Sequence, residues 1–179
     1  MGKFSANNRK KVLILDTSVL CVFLQIPGKE TCGIGNDVLT YEKVSVKINQ
    51  AIKENRTTFI LPLASIIETG NHITHANGDK HQLVSSFIKI IYDSIDEKKP
   101  WAAFTKQNDL WTEEKIKPIL ENWKRTSVTG QSLGDALIVS VAAYYFEAGY
   151  EVEIFTGDTG LKAYEPKRED VYPLPRRRR

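Results

Sequence analysis

The chain has 179 residues, of which 41% are hydrophobic and 26% charged, the profile of one soluble globular domain with a sizeable core and too short for two comfortable ones. The formal net charge is +3, but Arg176 to Arg179 supply four positive charges, so the rest of the chain carries −1. Bulk charge therefore argues for no nucleic-acid partner, and a binding surface for one must come from local arrangement.

Residues Met1 to Asn8 are polar. Val12 to Leu15 is a short, continuous apolar run that suits a buried parallel strand. Ser18 is the expected cap of a helix through Val19, Leu20 and Phe23 that Pro27-Gly28 ends. Gly28 to Asn36, with three glycines, reads as a loop. Val38 to Asn55 is an amphipathic helix, with Val44, Ile48, Ala51 and Ile52 at three- and four-residue steps. Thr57 to Leu61 is a second strand, β-branched and aromatic. Pro62 opens a helix carrying Ile66, Ile67 and Glu68, expected to fray at Gly70.

Lys80 to Ile95 is amphipathic, with Leu83, Val84, Phe87, Ile88 and Ile91 on one side. Asp96 to Asn108 is mixed, and Lys98-Lys99-Pro100 marks a break. Thr112 is the expected cap of a helix through Glu121 and Trp123, with Glu113 and Glu114 in its favourable first turn and Pro118 as an expected kink. Ser132 to Ala148 is apolar on most sides and therefore central; Gly149 ends it. Glu151 to Phe155 is a strand, Thr156-Gly157-Asp158 a turn, Thr159 to Tyr164 a short helix, and Val171-Tyr172 an edge strand. Alternating strands and helices predict an α/β fold around a parallel sheet with right-handed crossovers.

Cys21 and Cys32 are the only cysteines, and reduced thiols are the default expectation. Lys3, Arg9, Lys10 and Lys11 before Val12 to Ile26 imitate a secretory signal. Asp16-Thr17-Ser18 interrupt that run, however, and an acid at the centre of such a helix costs roughly 2.5–3.5 kcal/mol. Ala6 stands where a myristoylation signal wants Ser or Thr. No stretch is long enough to span a membrane, and the expected location is the cytoplasm.

Four acids fall where the strands end. Asp16 directly follows the first strand. Glu68 lies in the helix after the second, Asp135 in the first turn of the central helix, and Asp158 after the strand Glu151 to Phe155. In an open parallel sheet all four then face one edge, where ligands bind. Two like charges about 4 Å apart repel by roughly 4 kcal/mol at an effective dielectric near 20, so clustered carboxylates call for protonation or a cation. Oxygen ligands select Mg²⁺ or Mn²⁺, which activates water toward a phosphodiester. Each acid also has a plain structural role available. Ser132-Leu133-Gly134-Asp135 fits a capping box, Asp158 fits a turn, and Glu68 fits an exposed helix position. Asp16 is hardest to explain away, because an acid after a buried strand needs a partner.

Leu-Asp-Thr-Ser at 15–18, Ile-Ile-Glu-Thr at 66–69, Gly-Asp-Ala-Leu-Ile at 134–138 and Phe-Thr-Gly-Asp at 155–158 resemble, in order, the successive acidic motifs of PIN domains. The resemblance spans roughly Lys11 to Tyr172. It implies a three-layer α/β/α sandwich around a twisted, mainly parallel sheet, and Mg²⁺- or Mn²⁺-dependent RNA hydrolysis. Asp16, Glu68, Asp135 and Asp158 would be the catalytic metal ligands. Thr17, Ser18 and Thr156 would add hydroxyl contacts to metal-bound water or phosphate. Apart from the resemblance, helical spacing puts His72 one turn after Glu68, within reach of the acidic site and of phosphate, although a plain surface histidine is the commoner reading of such a position. The best-known small members are toxins of toxin–antitoxin pairs, which implies RNA and an antitoxin protein as partners; a homodimer is a further expectation, with Val38 to Asn55 as a candidate face for either protein. The expected layout is a flexible N-terminus over residues 1–10, the PIN-like domain over 11–173 and a basic tail over 174–179. The extra length around Asn71 to Asn108 and the Gly-rich loop depart from the shortest members.

Haloacid-dehalogenase-like phosphatases also place an Asp after the first strand, but they need a second Asp two residues on, where this chain has Ser18. A non-catalytic PIN-like module that binds RNA or protein is a further alternative, but the four acids argue against it, since a scaffold has no reason to keep such repulsion; a DNA structure-specific nuclease shares the acidic chemistry, and the small size of the chain argues against it. His72, His75, His81 and Asp79 match no strong zinc spacing. Trp101, Trp111 and Trp123 are at positions where core packing is commoner than base stacking, and Arg176 to Arg179 suit either an RNA backbone or a solvated tail.

Overall fold

The structure is a computed structural model that describes residues 10–167. The expectations for residues 1–9, for Val171-Tyr172 and for Arg176 to Arg179 lie outside the described residues. Four strands form the central sheet: β1 (Lys11–Leu15), β4 (Thr57–Leu61), β5 (Trp101–Ala103) and β6 (Glu151–Phe155), in the order β5-β4-β1-β6. Every pairing is parallel, with Ile14 opposite Ile60 on one side and Ile154 on the other.

The apolar run of β1 is continuous because both faces of the sheet are covered, and the pleat sends successive side chains to opposite layers. Leu13 and Leu15 join Phe59, Leu61 and Phe155 in one core cluster; Val12 and Ile14 join Ile60, Val152 and Ile154 in the other. On the first face pack α1 (Thr17–Phe23), α2 (Tyr41–Glu54), α3 (Leu63–His75) and α4 (Lys80–Ile95), through Val19, Leu20, Val44, Ile48, Ile73 and Phe87. On the second lies α7 (Leu133–Glu147), through Ile138, Val141 and Ala142, with α5 (Gln107–Leu110) and α8 (Thr159–Lys162) contributing Leu110 and Leu161. The helix α6 (Glu113–Thr126) buries no residue of its own. The result is a mainly parallel four-strand sheet between two helical layers. Among the described residues no helix is long and apolar enough to cross a membrane.

Several local expectations are corrected. Asp16, not Ser18, caps α1: its side chain accepts the Ser18 N–H. The Gly-rich segment is no plain loop. It carries β2 (Thr31–Cys32), paired antiparallel with β3 (Leu39–Thr40), and α2 starts only at Tyr41 behind the Thr40 cap. Gly70 does not fray α3, which continues to His75, because Gly70 packs on Phe87 of α4. The mixed stretch after Asp96 hides β5, whose three residues are too few to show a period. Thr112 occupies the cap position of α6 without a side-chain cap bond.

Glu153 ties four elements together. It pairs with Lys11 of β1 at 2.8 Å, Lys47 of α2, and Lys162 of α8 at 3.5 Å. Burial pushes its pKa up, but hydrogen bonds and attraction from Lys11 and Lys47 outweigh that and hold it at about 2. A carboxyl depressed in the fold stabilises above its unfolded value and loses that contribution as pH falls through the folded value. Discounted for the partial exposure of the lysines, the contribution is on the order of 2 kcal/mol. Thermal melts of wild type and Glu153→Gln should differ by about 4–8 °C at pH 7 and converge as the pH approaches 2. Curves that stay parallel over that range would show the network to be energetically idle.

Candidate active site

From β1 the chain steps to β4 and β5 on one side, then returns to place β6 on the other side of β1. The order therefore reverses between β1 and β6, and the crevice outside their carboxyl ends is where such sheets hold ligands. Asp16 leaves β1 there and Thr156 leaves β6. The Asp16 N–H donates to Phe155 O at 3.1 Å, extending the ladder one residue beyond β1.

Three donors converge on Asp16 Oδ2: Thr156 Oγ1 at 2.7 Å, Ser18 Oγ at 2.5 Å and the Ser18 N–H at 3.3 Å. The two hydroxyls are themselves anchored, Ser18 Oγ accepting from Gly157 N at 3.2 Å and Thr156 Oγ1 from Asp158 N at 2.9 Å. Asp16 is only 6% exposed. Burial raises its carboxyl pKa above the ordinary value, and the hydrogen bonds from Ser18 and Thr156 pull the other way. The cause is desolvation of a lone carboxylate rather than crowding by other acids.

Glu68 forms the second centre. Its Oε2 accepts from Thr17 Oγ1 at 2.9 Å. Its Oε1 lies over Gly134 in the first turn of α7, so near that a Cβ on Gly134 would sit 2.2 Å away. This carboxylate thus stands beside the positive end of a long helix. Asp135, next in the chain, is engaged in the capping box: its Oδ2 accepts from Ser132 N at 2.9 Å, and Ser132 Oγ accepts from Asp135 N at 3.0 Å. Asp158 is exposed and caps α8, its Oδ1 accepting from Gly160 N at 2.7 Å and Leu161 N at 3.2 Å.

All four acids thus occupy the carboxyl edge, as the topology requires. They are linked through hydroxyls: Thr156 joins Asp16 to the Asp158 turn, and Thr17 follows Asp16 and reaches Glu68. They are not packed carboxylate on carboxylate. Among the described residues no three His, Cys, Asp or Glu side chains converge closely enough to hold a metal ion. The donor chemistry, carboxylate and hydroxyl oxygen throughout, is nevertheless that of a hard dication. Thr17, Ser18 and Thr156 turn their hydroxyls to the carboxylates in this structure. His72 is half-buried on α3, one turn beyond Glu68.

The β2–β3 hairpin walls the site. A Cβ on Gly157 would meet Gly33 N at 2.5 Å and Cys32 Sγ at 2.7 Å, so only glycine lets the hairpin lie against the Thr156–Asp158 turn. Between the hairpin, α2 and α8 runs a groove of about 460 Å³ flanked by Lys43, Lys47 and Lys162; of the four acids only Asp158 lines it. Two of the tryptophans are structural. Trp101 meets Phe59 edge-on at 5.5 Å, and Trp123 Nε1 donates to Gln131 O at 3.0 Å. Gly134 and Gly157 carry the site's closest approaches; both stand inside the quoted acidic motifs, which give neither of them a role. For Gly134 the sequence does hold a signal, since a glycine in the first turn of so strong a helix forgoes as much as about 1 kcal/mol relative to alanine.

No protein-family profile, no curated protein and no solved structure matches the chain.

Proposed function

We propose that the chain is a PIN-like, metal-dependent endoribonuclease. The observation that carries this reading is the hydrogen bond from Thr156 to Asp16, which ties together the acid-bearing ends of β1 and β6 at the point where the strand order reverses. The resemblance of the four acidic motifs supplies the class of reaction. Asp16, Glu68, Asp135 and Asp158 are the residues that would hold Mg²⁺ or Mn²⁺, and their oxygen chemistry fits either ion. Bound there, such an ion would supply Lewis acidity and lower the pKa of a coordinated water. The chain's own part is orientation. Ser18 and Thr156 fix the Asp16 carboxylate, and Thr17 fixes that of Glu68, so neither has to be reorganised when charge develops on phosphate. In-line attack on phosphorus leaves a 5′-phosphate and a 3′-hydroxyl. His72 and the lysines of the adjoining groove are the candidates for phosphate contact. The partners of this reading are RNA and, if the protein is a toxin, a cognate antitoxin.

A phosphatase reading is disfavoured by Ser18, which stands where a second aspartate is needed and is spent on Asp16 and Gly157.

The test is cleavage of 5′-labelled single-stranded RNA by the full chain after chelation. Cleavage should appear only on adding millimolar Mg²⁺ or Mn²⁺. The same ions should raise the melting temperature, since a ligand at 100 times its Kd adds about 2.7 kcal/mol. Neither cleavage nor a shift would overturn the reading; phosphate release from a small monoester would return the phosphatase.

A further inference from the structure

A cavity of about 310 Å³ that none of the four acids lines opens between α1, α2, α4 and the start of β5. An outer chamber of about 450 Å³ adjoins it and shares Phe23, Tyr41, Lys89 and Ile90 with it. Both are in the size range of small-molecule sites. The inner walls are aromatic. Phe23 adjoins Tyr41 at 6.4 Å between ring centroids, with the planes 21° apart, and Trp101 at 6.0 Å. Tyr41 is 39% exposed, so its ring is open to a partner. Ser45, one turn along α2 from Tyr41, lines the same chamber. Its Oγ is shut off from solvent, yet it has no hydrogen-bond partner among the described residues. Ser85, Ser94 and Ser140, also inside helices, each close onto the carbonyl four residues back. Ser45 does not, and a buried hydroxyl left open costs stability until something bonds it. The serine as a whole is only half-buried, so one χ1 step brings its hydroxyl to the chamber.

We infer that this cleft is a binding site for a neutral purine nucleoside. The inner chamber has what a base requires: ring faces to stack on and, beside them, the Ser45 hydroxyl and the Asn49 amide, each able to donate or accept. Three adjoining rings make a wider platform than a single-ring base covers, which favours a purine. The outer chamber has what a ribose requires, the side-chain amides of Gln25 and Gln82 and the Ser86 hydroxyl. Charge decides against a nucleotide. Among the described residues, Lys89 and Asp93 are the only charged side chains lining either chamber, and they pair at 3.9 Å. Asp93 also accepts from Lys98 at 3.0 Å. The rim is thus electrically balanced, with no surplus cation to hold a phosphate. The nucleoside is the same chemistry whether it comes free or as the end of an RNA strand.

Calorimetric titration of the full chain with adenosine is the test. The wild type should bind with a Kd below about 1 mM and melt at a higher temperature in saturating adenosine. Tyr41→Ala should weaken binding at least about tenfold, and Tyr41→Phe should restore it. Ser45→Ala should weaken binding several-fold, yet without ligand it should melt at or above the wild-type temperature, because it removes an unpaired hydroxyl and alanine suits a helix better. AMP should bind no tighter than adenosine. Displacement of adenosine by hexaadenylate would make the end of an RNA strand the source, and no displacement the free nucleoside. Neither heat nor a melting shift at several millimolar adenosine, Tyr41→Ala and Ser45→Ala binding as the wild type does, or AMP binding far more tightly would each overturn the inference. None of these readouts depends on RNA cleavage.

Discussion

Asp16→Asn should remove metal-dependent RNA cleavage while leaving the metal-free protein as stable as the wild type or more so. The two halves have separate causes. An asparagine placing its Oδ1 where Asp16 Oδ2 lies still accepts from Ser18 N, Ser18 Oγ and Thr156 Oγ1, and Asn caps a helix about as well as Asp. What disappears is the charge. On the proposed reading this removes an anionic metal ligand; with several kcal/mol resting on the ion and about 1.4 kcal/mol per decade, roughly a thousand-fold loss is expected. For the fold it removes a penalty. Burial raises the Asp16 pKa above its unfolded value, so the residue costs nothing below the unfolded value, and its cost grows as pH rises through the folded one. The variant should lack that slope. Asp16→Ala should behave differently, losing the cap and stranding two hydroxyls for about 1–2 kcal/mol. Cleavage assays and melts in chelator decide it. Full activity in Asp16→Asn would sink the catalytic assignment, and a large fall in its metal-free melting temperature would make Asp16 a structural residue.

The sheet is legible in the sequence where the physics is local and repeated. Val12 to Leu15 announces a strand buried on both faces, and its neighbours bear this out: Ile14 packs into one layer and Leu15 into the other. The long helices are legible through their periods. What stays hidden is short or set by distant contacts. Trp101–Ala103 becomes a strand only because Phe59 to Leu61 offers it a ladder. Thr31-Cys32 pairs because Gly157, far along the chain, leaves room for it.

The candidate site is legible in a similar measure. Topology alone puts Asp16, Glu68, Asp135 and Asp158 on one edge. It does not reveal how they are held. Asp135 and Asp158 do the capping work that their sequence contexts offer, Asp135 through Oδ2 and Asp158 through Oδ1, and a cap does not preclude a ligand because it occupies one oxygen of each. Nor does the sequence order show that the hydroxyls after Asp16 and before Gly157 serve the carboxylates, since that needs the side-chain directions of two strands meeting side by side.

Gly134→Ala provides the sharpest separation of fold from function. The residue lies in the first turn of α7, with no left-handed backbone requirement, so alanine is conformationally welcome there and should add about 0.5–1 kcal/mol of helix stability. The new Cβ would nevertheless fall 2.2 Å from Glu68 Oε1 and 3.1 Å from its Cδ. The atom in the way is the end of a flexible side chain, so the helix keeps its place and the carboxylate swings out. That movement strains or breaks its bond from Thr17 Oγ1 and takes it away from the first turn of α7. A misplacement of about 1 Å at a reacting centre costs roughly a hundred-fold. Gly134→Ala should therefore melt at or above the wild-type temperature and cleave RNA about a hundred times more slowly, with kcat falling more than KM rises. Ala paired with Glu68→Asp, a shorter carboxylate that clears the methyl, should fold equally well. A Gly134→Ala protein of wild-type activity would show that Glu68 need not stand where it does, and would remove it from the catalytic set.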